Sequence, residues 1–178
     1  MSEQRQRIAV DMDEVLADTV ARFREWYGRD FQRELTADDM HGRHLLDAVP
    51  AEHRAALRAY LDAEGFFRDL PLVADSQRVL QELAGRYELF VASAAMDFPG
   101  SFRDKYDWLQ RNFPFIPQRN YVFCGDKSIL NADYLIDDNA YNFENFRGEG
   151  LLFDAPHNAY ETRYRRVQSW QKVAAVLL

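Results

Sequence analysis

The sequence predicts an α/β protein in which a doubly wound parallel sheet carries a small helical insertion after its first strand. Short apolar runs alternate with amphipathic helical patterns along the chain, as strands and crossover helices do in covered parallel sheets. Some 76 residues separate the first apolar run from the second, far more than one crossover helix needs. A length of 178 residues fits one core and a small accessory domain.

Four or five apolar runs are predicted to be buried strands, because each is brief, β-branched or aromatic, and followed closely by polar residues or glycine. These runs are 8–10, 87–92, 121–123, 134–136 and 151–153. Apolar residues at helical spacing predict helices between and after them. The helical patterns cover 79–83, 102–113 and 167–177.

The long stretch between the first two strands is predicted to be a helical cap. A first helix has Val20, Phe23 and Trp26 on one side. Thr36 resembles a helix N-cap followed by acids, and Pro50 opens a predicted helix over 51–63. We therefore expect two domains. They are an α/β core of residues 1–16 and 73–178, and a cap of residues 17–72, called here the inserted segment.

Composition narrows the class of partner. With 29 acidic and 22 basic residues the formal charge is −7, which argues against nucleic acid or an anionic membrane as the main partner. The lone Cys124 excludes an internal disulfide and favours a reducing compartment. No apolar run approaches the ~18 residues of a membrane span, and the N-terminal residues lack a secretory pattern. We expect a soluble, cytoplasmic protein.

Residues suited to phosphate chemistry follow four successive strands of the predicted sheet. In open α/β sheets ligands bind beyond the carboxyl ends of the strands, so these residues are expected to converge on one edge. In chain order they are Asp11 and Asp13, then Ser93, then Lys127, then Asp137 and Asp138.

These residue types predict phosphoryl transfer. Carboxylates from two strand ends bind a hard cation such as Mg²⁺, which neutralises phosphate charge so that a carboxylate can attack phosphorus. Asp11 is the predicted covalent nucleophile. Asp13, among other acids that raise its proton affinity, is the predicted acid and base. Ser93 and Lys127 would donate to phosphate oxygens.

Each of these candidate residues taken alone has a simpler explanation, because an acid, a serine or a lysine after a strand is commonly solvated or caps a helix. The joint order makes a chance origin improbable, although motif matches remain hypotheses until the structure confirms their context. Two further classes stay open. One is a phospho-receiver domain, although the order of the acids along the strands argues against it. The other is a non-catalytic phosphate-binding module.

The residues 8–18, Ile-Ala-Val-Asp-Met-Asp-Glu-Val-Leu-Ala-Asp, resemble the first motif of the haloacid dehalogenase (HAD) superfamily of phosphatases. Ser93, Lys127 and the pair Asp137-Asp138 occupy the positions of its second, third and fourth motifs. Within that superfamily the chain resembles the 5′(3′)-deoxyribonucleotidases. The segments that carry this closer resemblance are 15–18, 65–70, 105–108 and 135–138.

The resemblance implies a HAD-like, Rossmann-like core and Mg²⁺-dependent hydrolysis of a phosphomonoester through an aspartyl-phosphate. The metal would be held by Asp11, the backbone carbonyl of Asp13 and Asp138, with Asp137 in support. A (deoxy)nucleoside monophosphate is the first candidate substrate, and another small phosphomonoester is the alternative. The expected substrate-binding residues are Asp13, Ser93, Ala94, Lys127, Thr19, Phe66 and Phe67. The oligomeric state stays open, a homodimer included.

The chain departs from the family pattern at several places. Glu14 stands where many superfamily members have glycine, and Ala94 stands where a second hydroxyl is usual. Thr19 and Leu61 fall at positions where the nucleotidases stack the base on aromatic side chains. The phosphate end of the site is therefore preserved and the base end is not.

Other residues are left with simpler expectations. Phe23, Trp26, Phe66 and Phe67 can form an aromatic wall at the base end, but packing is the default for them, and is favoured for Trp26. The four histidines show no metal-ligand spacing. The loop 41–44 (His-Gly-Arg-His) is expected to be solvated, and contact with the substrate is the alternative for it. The basic cluster 163–166 is expected on a solvated face of the last helix.

Overall fold

The computed structural model describes residues 5–178 and contains a six-stranded sheet in which all paired strands are parallel. The strands are β1 (Arg7–Val10), β2 (Glu88–Ser93), β3 (Tyr121–Phe123), β4 (Tyr134–Asp137), β5 (Glu149–Phe153) and β6 (Arg165–Val167). Their order is β3-β2-β1-β4-β5-β6. From β1 the chain moves outward through β2 and β3 and then returns to β4 on the other side. This reversal places a topological switch point between β1 and β4 and confirms the predicted fold class.

α-Helices lie between the first three strands and after the last strand. They are α1 (Thr19–Phe31), α2 (Ala37–Met40), α3 (Arg54–Asp62), α4 (Ser76–Leu83), α5 (Phe102–Asn112) and α6 (Trp170–Leu177). Thr36 forms the predicted cap of α2, in a capping box with Asp39. Short 3₁₀ turns fill several connections, and one of them, Ala51–His53, forms the start of the predicted helix over 51–63.

The sheet core is apolar on the central strands. Ile8, Val10 and Ile136 have no exposed surface, as strands covered on both faces require. Two buried tryptophans also bind backbone of the segments that flank the insertion. Trp170 donates its indole N–H to the carbonyl oxygen of Val15 at 2.8 Å, and Trp108 donates to that of Leu70 at 2.8 Å. Buried indole N–H groups find such partners because an unpaired one is costly.

The chain enters and leaves the inserted segment through two paired backbone stretches. Ala17 and Leu72 form an antiparallel bridge. On either side of it, the Asp18 N–H donates to Pro71 and the Val73 N–H donates to Leu16, both at 2.8 Å. We call residues 16–18 with 71–73 the hinge. The hinge lies at the predicted boundary, and the division of the chain into two domains there stays a prediction.

An aromatic cluster holds the inserted segment together. Phe66 is fully buried and its ring lies 4.8 Å from Phe23 and 5.1 Å from Trp26, measured between centroids. Trp26 also meets Tyr60 edge to face at 5.3 Å. Edge-to-face contacts of this kind are the favoured geometry of aromatic pairs. Trp26 therefore packs, as expected from the sequence.

The prediction for the basic cluster 163–166 was wrong about its structure. Arg165 and Arg166 belong to β6, an edge strand, and the last helix begins only at Trp170 after the cap residue Ser169. Edge strands tolerate charged side chains because only one of their sides is paired. Within residues 5–178, no helix combines the length and the apolar character needed to cross a bilayer.

Candidate active site

The carboxyl edge of the sheet brings the predicted residues together. Asp11 follows β1 directly, and its N–H donates to the Ile136 carbonyl oxygen at 2.9 Å, which extends the pairing with β4 by one residue. Ser93 ends β2 and Asp137 ends β4. Asp138 is the next residue. The site thus lies at the switch point, where two neighbouring strands diverge in connectivity and leave a crevice.

Lys127 joins the two acidic strand ends. Its ammonium group donates to Asp11, and also to Asp137 Oδ2 at 2.5 Å. All three side chains are buried, with Asp137 having no exposed surface. Removing charges from water is costly unless they are paired, so this buried triad is built from mutually compensating charges.

Asp11, Asp137 and Asp138 form an oxygen cluster in which one carboxylate oxygen of each lies within 4.8 Å of the others. Such a hard, anionic donor set suits Mg²⁺ or a similar cation. The two adjacent acids differ in how their oxygens are used. Asp137 accepts from Lys127, from Asn142 Nδ2 at 2.9 Å and from the Asn139 N–H at 2.8 Å. Within residues 5–178, Asp138 Oδ1 accepts one hydrogen bond, from Asn139 Nδ2 at 3.1 Å. Asp138 is thus the less engaged of the two carboxylates.

Electrostatics at this cluster follow from burial of like charges. Burial raises the pKa of Asp11 to about 7, against the lowering effect of Lys127. Burial and the neighbouring carboxylates Asp11 and Asp137 raise the pKa of Asp138 well above its usual value. Burial lowers the pKa of Lys127, but the carboxylates of Asp11 and Asp137 outweigh it and raise that pKa above the ordinary value. A cluster with more acid than base favours a bound cation, which stabilises the ionised carboxylates.

Asp13 lies apart from that triad and has its own partners. Its side chain is 32% exposed. Thr19 Oγ1 donates to Asp13 Oδ1 at 3.1 Å, and Lys105 Nζ donates to Asp13 Oδ2 at 2.5 Å. Lys105 also donates to Ser93 Oγ at 3.2 Å. Only acids were expected around Asp13, but the structure also places the ammonium group of Lys105 there.

Lys105 is the residue of this site that sequence reasoning missed. It lies in α5, is only 2% exposed, and its ammonium lies 4.6 Å from the centroid of the Phe67 ring. The apolar stripe of α5 includes Phe102, Tyr106 and Leu109, and Lys105 follows Phe102 by three positions on that same face. A lysine inside an apolar stripe is the signal that identifies it.

Glu14 adopts a conformation that explains why glycine is common at this position. Its φ is 60°, in the left-handed region, which costs a residue with a side chain energy that glycine avoids. The side chain is used instead, because Oε1 accepts from the Val20 N–H at 2.8 Å, at the start of α1. Burial raises the pKa of Glu14 to about 8. The motif loop and the first helix of the inserted segment are therefore tied by this carboxyl group.

A cavity of about 340 Å³ opens between the carboxyl edge and the inserted segment. Asp13, Asp138 and Lys105 line its polar end. The other end is largely apolar, with Val20, Phe23, Met40, Leu45, Leu61 and Phe67 among its lining residues. This size lies within the range of small-molecule sites.

The sequence-predicted contact residues divide at this cavity. Thr19, Leu61, Phe67 and Ala94 line it. Phe66 lies in the aromatic cluster of the inserted segment instead. Of the two neighbouring phenylalanines, Phe67 is therefore the one in a position to contact a ligand.

The loop 41–44 is largely exposed, as expected, with His41, Arg43 and His44 at the surface, and it also reaches the cavity. Arg43 and His44 line the cavity, and the His44 ring stacks on the His157 ring with centroids 5.0 Å apart. His157 in turn lies beside Asp138. Two histidines that are far apart in sequence give no spacing signal, which is why the pattern along the chain did not reveal this contact.

Comparison with known proteins identifies the family. Residues 5–178 match the family model "5' nucleotidase, deoxy (Pyrimidine), cytosolic type C protein" (NT5C). The chain belongs to this nucleotidase family. A Staphylococcus epidermidis relative named "Putative 5'(3')-deoxyribonucleotidase" is 43% identical over 169 residues, which cover 95% of this chain and 94% of the relative. The 5'(3')-deoxyribonucleotidase of Bacillus subtilis is 38% identical over 171 residues, covering 96% of this chain and 98% of the relative.

Solved structures agree on the fold. A HAD-like hydrolase of Streptococcus pneumoniae superposes with a TM-score of 0.61 at 13% identity, covering 98% of this chain and 99% of that one. A HAD hydrolase of Bacillus subtilis, solved bound to magnesium, gives a TM-score of 0.60 at 14% identity and covers 98% of this chain and 99% of that one. The protein is thus a nucleotidase with a HAD-like fold, a hydrolase of phosphoric monoesters, as the sequence predicted.

Proposed function

We propose that this nucleotidase is Mg²⁺-dependent, forms an aspartyl-phosphate on Asp11, and acts on (deoxy)nucleoside monophosphates. The observation that carries the proposal is the meeting of Asp11, Asp138 and Lys127 at the switch point, beside a cavity with one polar and one apolar end. A nucleoside monophosphate has the same division into an anionic and a less polar part. The names of the curated relatives support the same substrate class.

The donor set fits a divalent cation. One carboxylate oxygen of Asp11 and one of Asp138 lie within 4.8 Å of each other, and the family resemblance adds the backbone carbonyl of Asp13 as the third expected ligand. When bound, Mg²⁺ supplies positive charge that offsets the repulsion between phosphate and carboxylate. The magnesium-bound Bacillus subtilis hydrolase of the same fold is consistent with this assignment.

Asp11 is placed to act as the nucleophile. Lys127 holds its carboxylate and fixes the direction of the other oxygen. In the first step that oxygen forms a bond to phosphorus while the bond from phosphorus to the ester oxygen breaks, and the leaving alkoxide takes a proton from Asp13. In the second step Asp13 takes a proton from water, which attacks phosphorus and releases inorganic phosphate and free Asp11.

Two ammonium groups and one hydroxyl remain to bind the phosphate oxygens. Ser93 and Lys105 are already in contact, and Lys127 contacts Asp11 and Asp137. Charge-assisted hydrogen bonds from fixed ammonium groups are the stronger kind. Because these side chains are buried before substrate arrives, little reorganisation accompanies binding.

A panel of phosphomonoesters tests the substrate class. Phosphate release with Mg²⁺ is measured for purine and pyrimidine ribo- and deoxyribonucleoside monophosphates and for small sugar phosphates. Faster turnover of nucleotides supports the proposal. Equal or faster turnover of sugar phosphates would instead assign the site to another small phosphomonoester, the alternative left open by the sequence.

Acid quenching during turnover tests the covalent step. Mass spectrometry of proteolytic fragments is expected to find phosphate on the peptide that contains Asp11, and on no peptide of an Asp11→Asn variant. Turnover without labelling of that peptide would contradict the aspartyl-phosphate. The phospho-receiver alternative has lost its support, since the chain belongs to a family of hydrolases.

A further inference from the structure

The inserted segment also contacts the core through residues 41–44, away from the hinge. The Gly42 N–H donates to the carbonyl oxygen of Pro156 at 2.8 Å. The His41 ring meets Tyr160 edge to face at 5.3 Å. Pro156 and Tyr160 belong to the turn after β5. We call residues 41–44 with 156–160 the clasp, because they join the two walls of the cavity.

Gly42 shows how closely the clasp fits. Its φ is +67°, and a Cβ built on it would lie 2.0 Å from a ring carbon of Tyr160. A side chain at this position would displace the exposed Tyr160 ring, and an L residue would also be strained there. The backbone of the inserted segment therefore lies directly against the Tyr160 ring.

The clasp includes a pair of stacked histidines. His44 and His157 lie with their ring centroids 5.0 Å apart and their planes 19° from parallel. His44 comes from the inserted segment and His157 from the core. Both line the cavity, so the pair forms part of its wall rather than part of a packed interior.

His157 continues the contact to the acidic cluster. Its Nε2 lies 3.2 Å from the backbone oxygen of Asp138 and 3.5 Å from Asp138 Oδ2. Because a carbonyl oxygen only accepts, Nε2 carries the proton and donates. Asn158 Nδ2 donates to the same backbone oxygen at 2.8 Å. Two successive residues of the turn thus hold Asp138 from one side.

We infer that His157 is a positioning residue for the metal ligand Asp138, and that His44 of the inserted segment holds His157 in that position. This inference rests on the proposed metal site. Groups that hydrogen-bond a ligand fix its orientation and strengthen metal binding. Since His44 reaches His157 only when the clasp is closed, closure and metal binding each favour the other, and the two effects are equal in size.

Metal titration tests the chain from His44 to Asp138. Mn²⁺, which takes the same oxygen ligands, is titrated into substrate-free protein and followed by electron paramagnetic resonance. We expect His157→Ala to weaken Mn²⁺ binding about tenfold and His44→Ala about fivefold. His157→Gln, whose amide also donates a hydrogen bond, is expected to recover part of the loss.

The control is Arg58→Ala, which truncates an exposed side chain of α3, in the inserted segment but outside the clasp. It should leave Mn²⁺ affinity within about twofold of the unmodified protein. In addition, His44→Ala should have no further effect in a His157→Ala background, since the two act in series. Equal losses in the Arg58→Ala and His44→Ala variants, or additive losses in the double histidine variant, would overturn the inference.

Hydrogen exchange tests the effect of metal binding on the closure of the clasp. The Gly42 N–H bonds across the clasp, so its exchange reports how often the clasp opens. We expect saturating Mg²⁺ to slow this exchange about fivefold in the unmodified protein and to leave it unchanged in His157→Ala. If the protein binds Mn²⁺ but the exchange rate of the Gly42 N–H does not change with Mg²⁺, the coupling alone is overturned. Failure of the unmodified protein to bind Mn²⁺ would overturn the proposed metal site as well.

Discussion

The two ends of the cavity differ in how the protein holds their side chains. Beside the polar end, Asp11, Asp137 and Lys127 are buried and bonded to one another, the strand ends fix the positions of the two acids, and none of the three lines the cavity. At the apolar end, Val20 and Leu61 offer apolar contact area, and the Phe67 ring also lies 4.6 Å from the Lys105 ammonium. Directional bonds define a reacting geometry, whereas apolar contacts discriminate weakly between similar ligands. From this comparison we expect the strand ends to carry the chemistry and the insertion to carry the selectivity.

The largest effect is expected at the nucleophile. Asp11→Asn keeps the shape of the side chain but removes its negative charge and nucleophilicity, so steady-state phosphate release should fall at least about 10³-fold. The control is Asp62→Asn, an exposed aspartate at the end of α3, which should retain full activity. A loss smaller than tenfold for the Asp11 variant would sink the covalent mechanism.

A smaller but still large effect is expected at the cation beside Asp13. Lys105→Met keeps the length of the buried side chain and removes the charge that contacts Asp13 and Ser93. We expect kcat/KM to fall about 10²-fold, in the range lost when one charge-stabilising donor is removed. Lys172→Met, at an exposed position in α6, is the control. If both variants behave alike, Lys105 has only a structural role.

At the apolar end the effect should fall on substrate binding. Leu61→Ala enlarges the cavity away from the reacting groups, so KM for the best nucleotide should rise up to about tenfold with kcat within about threefold. Leu46→Ala truncates a leucine of the same segment that lines a different pocket. It should leave KM unchanged. A fall in kcat alone for the Leu61 variant would contradict the division between the two ends.

The smallest effect concerns the pH dependence of stability. The pKa of Glu14 is raised to about 8 in the folded protein, so the folded state holds a proton that the unfolded chain releases near its ordinary value. The free energy of unfolding therefore decreases as pH rises from about 4.5 to 8. Glu14→Gln should remove this loss. Between pH 5 and pH 8, the free energy of unfolding of the variant should therefore rise by roughly 1 kcal/mol relative to that of the unmodified protein, after allowance for solvent screening.

Urea unfolding at several pH values measures this difference. Glu34→Gln is the control, because the Glu34 side chain is 77% exposed and its partner Arg24 is also at the surface. A gap between the Glu14 variant and the unmodified protein that stays constant with pH would show that the Glu14 carboxyl group is not protonated on folding.

The sequence predicted the acidic end better than the apolar end for a physical reason. Asp11, Ser93 and Asp137 come directly after or at the ends of apolar runs, and parallel strands carry such residues to one edge whatever the details of packing. Five strands were found in the same way. β6 was missed because its residues, Arg165 to Val167, form only three positions of an edge strand with two charges, too short for a periodic signal.

Contacts between residues far apart in the sequence escaped prediction. Lys105 meets Asp13 across 92 positions of the chain, and β2 to β5 lie in sequence between the stacked rings of His44 and His157. Neither contact leaves a regular spacing along the chain. Helix caps and apolar stripes are local and were predicted correctly, as Thr36 illustrates.

The hinge has a consequence for how this protein is altered. Because Ala17 and Leu72 lie side by side, the residues between them leave and rejoin the core at nearly one point, as a surface loop does. Segments of other lengths can be inserted between these two positions with little change in the distance between the two core segments that they join. A chimaera that exchanges residues 18–71 for the corresponding piece of a relative would then transfer substrate preference while retaining the hydrolytic machinery of the recipient.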